Sequence, residues 1–457
     1  MASTKLSRAM SSQGSSIKST FSCWFKLADG SGHTGGFYST AYSASYFFDI
    51  CMQSGSIEVG DYRSNLGGYQ CRKRTTAVYR DVNAWYHLYV AIDRSLSTAS
   101  DRCKIYVNGE RVTNLQSSED ANYSQQTSGS HDSQIMMNNG GSNTYAVIGN
   151  RYDNSKFNGS ISHMYWVDGS VIDIAQFGST DSTTGEWKIN TSPTIASYGT
   201  NGFLILKDGN TITDQSGGSY DFTVASGTLT KSEDNPSNVF ATGNPLIGIH
   251  SNGNGLVPTY TNGNTTSTSG GSAWKIHQSN LGASSGKYYA EFKLISNSGT
   301  WYSYVGIYDL DGYAQKISGY PYLSDMANTY GLKDGNGQIH TGGSGTSYGV
   351  SYGTGNIVGV AMDLDNNKLY FSKDGVWMNS ANPSNGTGGY SITADKTYAF
   401  GIQQYAQNSI VWSANYGNGF IGTTAVSSAG TNASNNGIFE YDVPTGFTAL
   451  STKGLNL

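Results

Sequence analysis

Apolar and polar residues alternate along much of this chain, and one alternating phrase occurs twice. In the first half, Trp85 to Asp93 (WYHLYVAID) ends on an acid and, after a polar gap, returns as Lys104 to Val112 (KIYVNGERV). In the second half, Ile357 to Asp365 (IVGVAMDLD) passes through Asn366-Asn367 into Lys368 to Met378 (KLYFSKDGVWM). Each return reads Lys-apolar-Tyr-apolar and then meets Asn108-Gly109 or Asp374-Gly375. Alternation flanking such a dipeptide is the strongest short-range hairpin signal. Two copies about 270 residues apart predict two separate β-sandwich domains.

The same pattern predicts strands over Phe21–Leu27, Tyr46–Met52, Ala84–Asp93, Cys103–Val107, Tyr145–Gly149, Ser160–Val167 and Phe203–Leu206. A second set covers Lys287–Ile295, Tyr302–Tyr308, Tyr348–Tyr352, Ile357–Asp365, Lys368–Lys373, Thr397–Gln404 and Ser409–Ala414, with a late strand around Gly446–Leu450. Val171–Phe177 is the one helix hint, and its length allows a turn or two. Short strands separated by frequent turn signals predict an all-β protein, with two antiparallel β-sandwich (jelly-roll) domains in tandem. From Lys231 to about Ser272 the composition turns to Asn, Gly, Ser, Thr and Pro. The boundary is therefore expected near Asn235-Pro236, giving domains 1–235 and 236–457.

Composition sharpens this picture. Charged residues are 13%, about half the usual share, while Gly numbers 59 and Tyr 33. Gly is poor in helix interiors and Tyr suits a pleated surface, so a helical protein is excluded. Aromatic residues at 12% supply ample burial, which argues against disorder. A net charge of −5 without an extended basic stripe gives no footprint for nucleic acid. The run Arg72-Lys73-Arg74 is short and reads as a solvated loop. The N-terminus has no apolar core of signal-peptide length and no stretch reaches membrane-spanning length, so folding in a cytosol is expected. Cys23, Cys51, Cys71 and Cys103 match no metal or redox spacing and are expected as buried free thiols.

Several phrases carry a resemblance. Ala84-Trp85-Tyr86-His87-Leu88, Cys103 to Asn108-Gly109, Ala146-Val147-Ile148-Gly149, and Asn158-Gly159-Ser160-Ile161 through Val167-Asp168-Gly169 resemble the laminin-G-like, concanavalin-type jelly roll. Gly286 to Glu291, Tyr304-Val305-Gly306-Ile307, Gly359 to Asp363 and Leu369 to Gly375 resemble a SPRY-like domain. The joints add a third likeness. Phe177-Gly178 through Thr183-Thr184-Gly185-Glu186-Trp187-Lys188, Tyr198 to Phe203, Phe240 to Leu246 and Pro444 to Leu450 together resemble tandem structural proteins of marine tailed bacteriophages, cyanophages included. That resemblance implies a virion component, a fibre or decoration protein assembled in the host cytoplasm.

Candidate chemistry is sparse. Glucanases on concanavalin-type folds carry Glu-x-Asp-x-x-Glu-like acids, since retaining hydrolysis needs paired carboxyls. Glu440-Tyr441-Asp442 starts such a pattern, but Thr445 stands where the second glutamate belongs. Asp363-Leu364-Asp365-Asn366-Asn367 invites calcium, yet Lys368 replaces the glycine a calcium loop requires, and turn chemistry explains it. Asp93 and Asp101 read the same way. His87 and His163 lie inside strands, and no Gly-x-Ser-x-Gly stands on a strand-to-helix turn. Binding has better material: Trp301, Tyr302, Tyr313, Tyr320, Tyr322 and Tyr330 cluster in one loop-rich stretch, and aromatic faces stack on sugars or anchor interfaces.

The expectation is a non-enzymatic phage virion protein exposed on the particle, as capsid decoration or tail fibre accessory, contacting other virion proteins and host-surface glycan in many copies. No catalytic residue, metal, cofactor, nucleic acid or membrane insertion is expected. The alternative is a polysaccharide-degrading tail spike.

Overall fold

The computed structural model describes residues 4–28, 33–117, 120–129, 132–141, 143–207, 211–246, 257–270, 274–297, 303–313, 323–324, 326–405 and 409–456. The chain divides into two units, Met1–Thr230 and Lys231–Leu457, each an antiparallel β-sandwich. Residues 231–235, which the sequence places with the first domain, fold with the second: the Glu233 amide donates to the Asn418 carbonyl at 3.2 Å.

The first unit contains β1 (Lys5–Ala9), β2 (Lys18–Leu27), β3 (Gly35–Ser43), β4 (Tyr46–Gln53), β5 (Ser56–Arg63), β6 (Gly68–Arg74), β7 (Tyr86–Asp93), β8 (Cys103–Val107), β9 (Glu110–Arg111), β10 (Tyr145–Ile148), β11 (Gly159–Asp168), β12 (Gly178–Thr180), β13 (Trp187–Ile189), β14 (Phe203–Ile205) and β15 (Thr223–Ser226). One sheet runs β15-β1-β10-β3-β4-β5-β6 and the other β14-β11-β2-β7-β8-β9. Alternate residues of β2 (Phe21, Cys23, Phe25, Leu27) enter the core between them. Its other face is buried too, because chain beyond β11 folds back over that sheet. There Phe177, with Ile172, Ile174, Ile195 and Tyr198, covers Tyr89, Tyr165 and Leu204. The helix hint is a single turn, Ile174–Gln176, capped by Asp173. Beyond β9, the chain crosses to the first sheet and bridges its last strand, β6, at Arg72–Ala121 and the residue just after it at Thr75–Leu115.

The second unit contains β16 (Thr259–Thr261), β17 (Thr266–Thr268), β18 (Trp274–Gln278), β19 (Lys287–Asn297), β20 (Ser303–Asp309), β21 (Tyr330–Lys333), β22 (Gln338–Thr341), β23 (Ser344–Ser347), β24 (Ile357–Asp363), β25 (Lys368–Lys373), β26 (Val376–Trp377), β27 (Tyr390–Ser391), β28 (Tyr398–Tyr405) and β29 (Ile410–Asn415). Its sheets run β16-β17-β29-β19-β24-β25-β26 and β18-β28-β20-β21-β22-β23. The duplicated hairpins form as the dipeptides require. Asn108 and Gly109 take φ of 49° and 82°, and Asp374 and Gly375 take 50° and 81°, the left-handed pair of a type I′ turn. Residues 348–352, expected as a strand, form none. Tyr348 and Tyr352 fill the core from irregular chain, with the Tyr352 hydroxyl donating to the Leu332 carbonyl at 2.9 Å. The late strand is Thr448–Ala449, which pairs parallel to β19.

A buried carboxylate holds that C-terminal segment in place. Glu291 of β19 accepts from the Glu440 and Tyr441 amides, both at 2.8 Å, from Asn415 Nδ2 at 3.1 Å and from the Tyr289 hydroxyl at 3.2 Å. Phe439, Val443 and Phe447 then pack on Tyr289, Ala361 and Tyr370, closing the outer face of this sheet. Burial pushes Glu291 up to about 7 against the pull of these donors. Its folded pKa exceeds the unfolded one, so its contribution is most favourable below about pH 4.5 and is lost as pH rises toward 7. The stability of the wild-type second unit relative to Glu291→Gln should therefore fall by about 3 kcal/mol between pH 4 and pH 8, measured by urea unfolding. A pH-independent gap would refute this.

Candidate binding site on the first sandwich

Alternation along β4 and β5 sorts their side chains onto two faces. Phe48, Ile50, Met52, Ile57 and Val59 enter the core, so Phe47, Asp49, Cys51, Glu58 and Tyr62 stand on the opposite face. The register sets Phe47 against Tyr62, Asp49 against Gly60 and Cys51 against Glu58. Phe47 and Tyr62 stack with centroids 5.2 Å apart, and Tyr69 of β6 meets Tyr62 edge-on at 5.0 Å. Tyr152, just beyond β10, lies flat on Phe47 at 3.6 Å. Phe47 is buried, while Tyr62, Tyr69 and Tyr152 are half-buried, leaving an aromatic surface on this face.

A charged network lies against these rings. Arg151 Nε donates to Asp49 Oδ2 at 2.9 Å, Arg151 Nη1 donates to Gln53 Oε1, and Nη2 lies 3.8 Å from Glu58 Oε1. Arg72 donates through Nε and Nη2 to Glu58 Oε2 at 3.2 and 3.0 Å. Each guanidinium also lies over a ring, Arg151 over Tyr152 at 5.1 Å and Arg72 over Tyr69 at 4.6 Å. Gly60 makes room for the acid, since a Cβ there would sit 2.8 Å from Asp49 Oδ1. Burial raises Asp49 to about 7, with Arg151 opposing and Glu58 reinforcing the shift.

One oxygen each of Asp49 and Glu58 and the Cys51 sulfur lie within 4.8 Å of one another. Carboxyls of retaining glycosidases stand about 5–5.5 Å apart, so the spacing is of the right order. Access is not: both acids are fully buried, and Arg151 already supplies the cation between them. In this arrangement the network lies against the rings.

His87 offers no base either. It lies between Trp24 and Trp187, with centroids 5.1 and 5.8 Å away. Trp187 Nε1 donates to its Nδ1 at 3.0 Å. Indole is only a donor, so Nδ1 is unprotonated and Nε2 carries the hydrogen toward Ser22 Oγ at 2.9 Å. Burial lowers the His87 pKa to about 3, so the ring stays neutral and cannot take the Ser22 proton. His163 contacts Ser162 Oγ through Nδ1 at 2.7 Å.

The aromatic residues expected in the second domain do not form a described site. Trp301, Tyr302, Tyr320 and Tyr322 lie outside the described residues, as does the side chain of Tyr313, which ends the helical turn Leu310–Tyr313. Tyr330 is a core residue, 5% exposed. It pairs with core-facing Ile307, and its hydroxyl contacts Thr393 Oγ1 at 3.0 Å.

The acids are engaged locally. Asp363 accepts from Asn366 N at 3.0 Å and Nδ2 at 2.9 Å and pairs with Lys287 at 2.9 Å. Asp93 pairs with Lys18 at 3.3 Å, and Asp101 with Arg111 at 2.6 Å. Asp442 accepts from the Thr431 amide at 2.6 Å. The sequence did not single out Phe47, Asp49, Glu58 or Tyr152, although Phe47-x-Asp49-x-Cys51 on one strand was a period-two signal.

Residues 5–171 match the protein family described as the concanavalin A-like lectin/glucanases superfamily. No curated protein matches the chain. Among solved structures, it is similar to the SPRY domain of human HERC1 at 16% identity, covering 33% of this chain and 87% of that one, TM-score 0.27. A human SPRY domain matches at 14% identity over 33% and 90%, TM-score 0.25. Stonustoxin matches at 16% over 38% and 27%, TM-score 0.28. The matched residues lie in the unit that carries the aromatic face. Among the described residues, no helix is long and apolar enough to cross a membrane.

Removing Arg151 would leave two buried acids facing each other without their shared cation. Arg151→Ala should destabilise the first unit by about 3–5 kcal/mol, read as a lower Tm in calorimetry. A change under 1 kcal/mol would show that the network carries no such role.

Proposed function

We propose that this chain is a non-catalytic, carbohydrate-recognising structural protein of a tailed-phage particle, displayed in many copies as capsid decoration or a tail fibre accessory. The observation that carries the recognition part is the half-buried tyrosine surface of Tyr62, Tyr69 and Tyr152 in the unit that matches the lectin and glucanase superfamily. Flat rings with polar tips suit the apolar face of a sugar ring and its rim of hydroxyls. Each contact is weak, and repetition on one particle converts weak contacts into firm attachment. The virion part rests on the sequence resemblance in the joints between strands.

A second reading, a polysaccharide-degrading spike, draws on the spacing of Asp49 and Glu58. It would require the Arg151-Tyr152 segment to withdraw from both acids.

Glycan-array binding of the full chain should show retention on a restricted set of polysaccharides, with no release of reducing ends. Tyr152→Ala and Tyr69→Ala should each weaken that retention about tenfold, equivalent to ~1.4 kcal/mol. Reducing-end release that Glu58→Gln abolishes would establish the spike instead. Peptide mass spectrometry of purified particles tests the virion assignment, which fails if the chain is found only in the lysate.

A further inference from the structure

The run Arg72-Lys73-Arg74, expected as a solvated loop, is the end of strand β6, and its middle residue is buried. Lys73 follows the core residue Cys71 by two positions, so both side chains leave the strand on the same side, and the Lys73 side chain is 1% exposed. Arg72 between them pairs antiparallel with Ala121, exchanging both backbone bonds at 2.9 Å. The two neighbours of Ala121 both reach Lys73. Its Nζ contacts Asp120 Oδ1 and donates to Asn122 Oδ1 at 2.8 Å. An amine, a carboxylate and a carboxamide thus meet across one antiparallel pairing, although Lys73 and Asn122 stand 49 positions apart in the chain.

We infer that Lys73 and Asn122 join in an intramolecular isopeptide bond, with Asp120 carrying the protons and ammonia leaving. Geometry supplies the first advantage. The attacking nitrogen lies 2.8 Å from the amide oxygen, one covalent bond from the carbon it must reach. Holding reacting atoms about 3–3.5 Å apart turns a bimolecular encounter into a unimolecular step. Spacing supplies the second. Asp120 and Asn122 are two positions apart, so their side chains leave extended chain on one side, and proton acceptor and acyl group face the same amine. The Arg72–Ala121 backbone bonds fix the chain midway between them. Burial sets Lys73 apart from other paired lysines: Lys188 and Lys287 meet Asp181 and Asp363 at 2.8 and 2.9 Å, but their side chains are 54% and 28% exposed.

The chemistry balances with no oxidant or co-reactant. The Lys73 ammonium passes one proton to the Asp120 carboxylate, which frees the nitrogen lone pair. That pair attacks Asn122 Cγ: a C–N bond forms and the carbonyl π electrons move onto Oδ1. The Asp120 acid then gives its proton to Asn122 Nδ2 and, again a carboxylate, takes a second proton from the new nitrogen. Electrons return from Oδ1, the Cγ–Nδ2 bond breaks, and ammonia departs. It takes the remaining proton from Asp120 as ammonium. One lysine ammonium and one carboxamide become one secondary amide and one ammonium ion, and Asp120 ends as it began. The product ties β6 covalently to the chain that runs beside it.

The test uses the full-length chain, folded and then denatured under reducing conditions for mass spectrometry. The intact mass should fall short of the sequence mass by one ammonia. Digestion should release one branched peptide joining the Lys73 side chain to the Asn122 side chain. On a reducing denaturing gel the closed loop should run ahead of Asn122→Ala. Lys73→Arg and Asn122→Ala should keep the full mass, and Asp120→Ala should form the bond at least about a hundredfold more slowly, followed by intact mass over time after synthesis. Asparagine can also lose ammonia to its own backbone, so fragment mapping of the branch decides. Because that mapping on the wild-type chain stands alone, a poorly folding variant does not weaken the test. Recovery of unbranched Lys73 and Asn122 peptides, ammonia loss confined to a cyclised asparagine, or a branch from Lys73 to Asp120 would overturn the inference.

Discussion

Buried carboxylates that accept backbone amides from irregular chain are the interaction on which both sandwiches depend. A sheet satisfies its own amides through the strand ladder, but a segment lying across it brings amides that need acceptors. An acid placed inward on a strand needs donors just as much. Asp61 on β5 accepts from the Met136 and Met137 amides and from the Tyr123 hydroxyl. Asp168 at the end of β11 accepts from the Ser15 and Asn201 amides. Asp214 holds Leu204, Ser216 and Tyr220, and Glu291 holds Glu440 and Tyr441. With few helices and no disulfide among the described residues, these anchors position the long connections.

The same economy explains how the aromatic face is kept in order. Elsewhere an outward sheet face is closed by packed chain: residues 171–198 in the first unit and the C-terminal segment in the second. Over β4 and β5 lie Arg151 and Tyr152. Two acids and two guanidiniums neutralise one another beneath the rings, and each guanidinium lies over one of them. Rings fixed before a ligand arrives lose little freedom when it binds.

Hairpins and core strands were legible because their chemistry is local. Asn108-Gly109 and Asp374-Gly375 dictate their turns, and Cys103–Val107 and Lys368–Lys373 begin and end where alternation places them. Strands β3 and β5 escaped notice for a physical reason. In β3, small residues and irregular register at Gly36 and Ala41 blur the period. In β5, Asp61 stands where the alternation of Ile57 and Val59 wants an apolar residue, because it is satisfied by Tyr123, Met136 and Met137, far away in sequence. The aromatic face was hidden for the same reason: Arg151 lies 102 residues from Asp49. Tyr330 misled in the opposite sense, as aromatic clustering does not separate loop tips from strand interiors. Tyr348 and Tyr352 read as a strand because core-filling aromatics alternate even where the backbone is irregular.

The segment lying along β6 has one more consequence. The outermost strand of a sheet exposes unpaired amides and carbonyls that a neighbouring molecule can adopt as its own ladder. Here Arg72 exchanges both its backbone bonds with Ala121 at 2.9 Å, and Gln116 donates to the Arg74 carbonyl at 2.8 Å. That rim is therefore already spoken for within its own molecule. At Arg72 and Arg74 another strand finds no free ladder to extend.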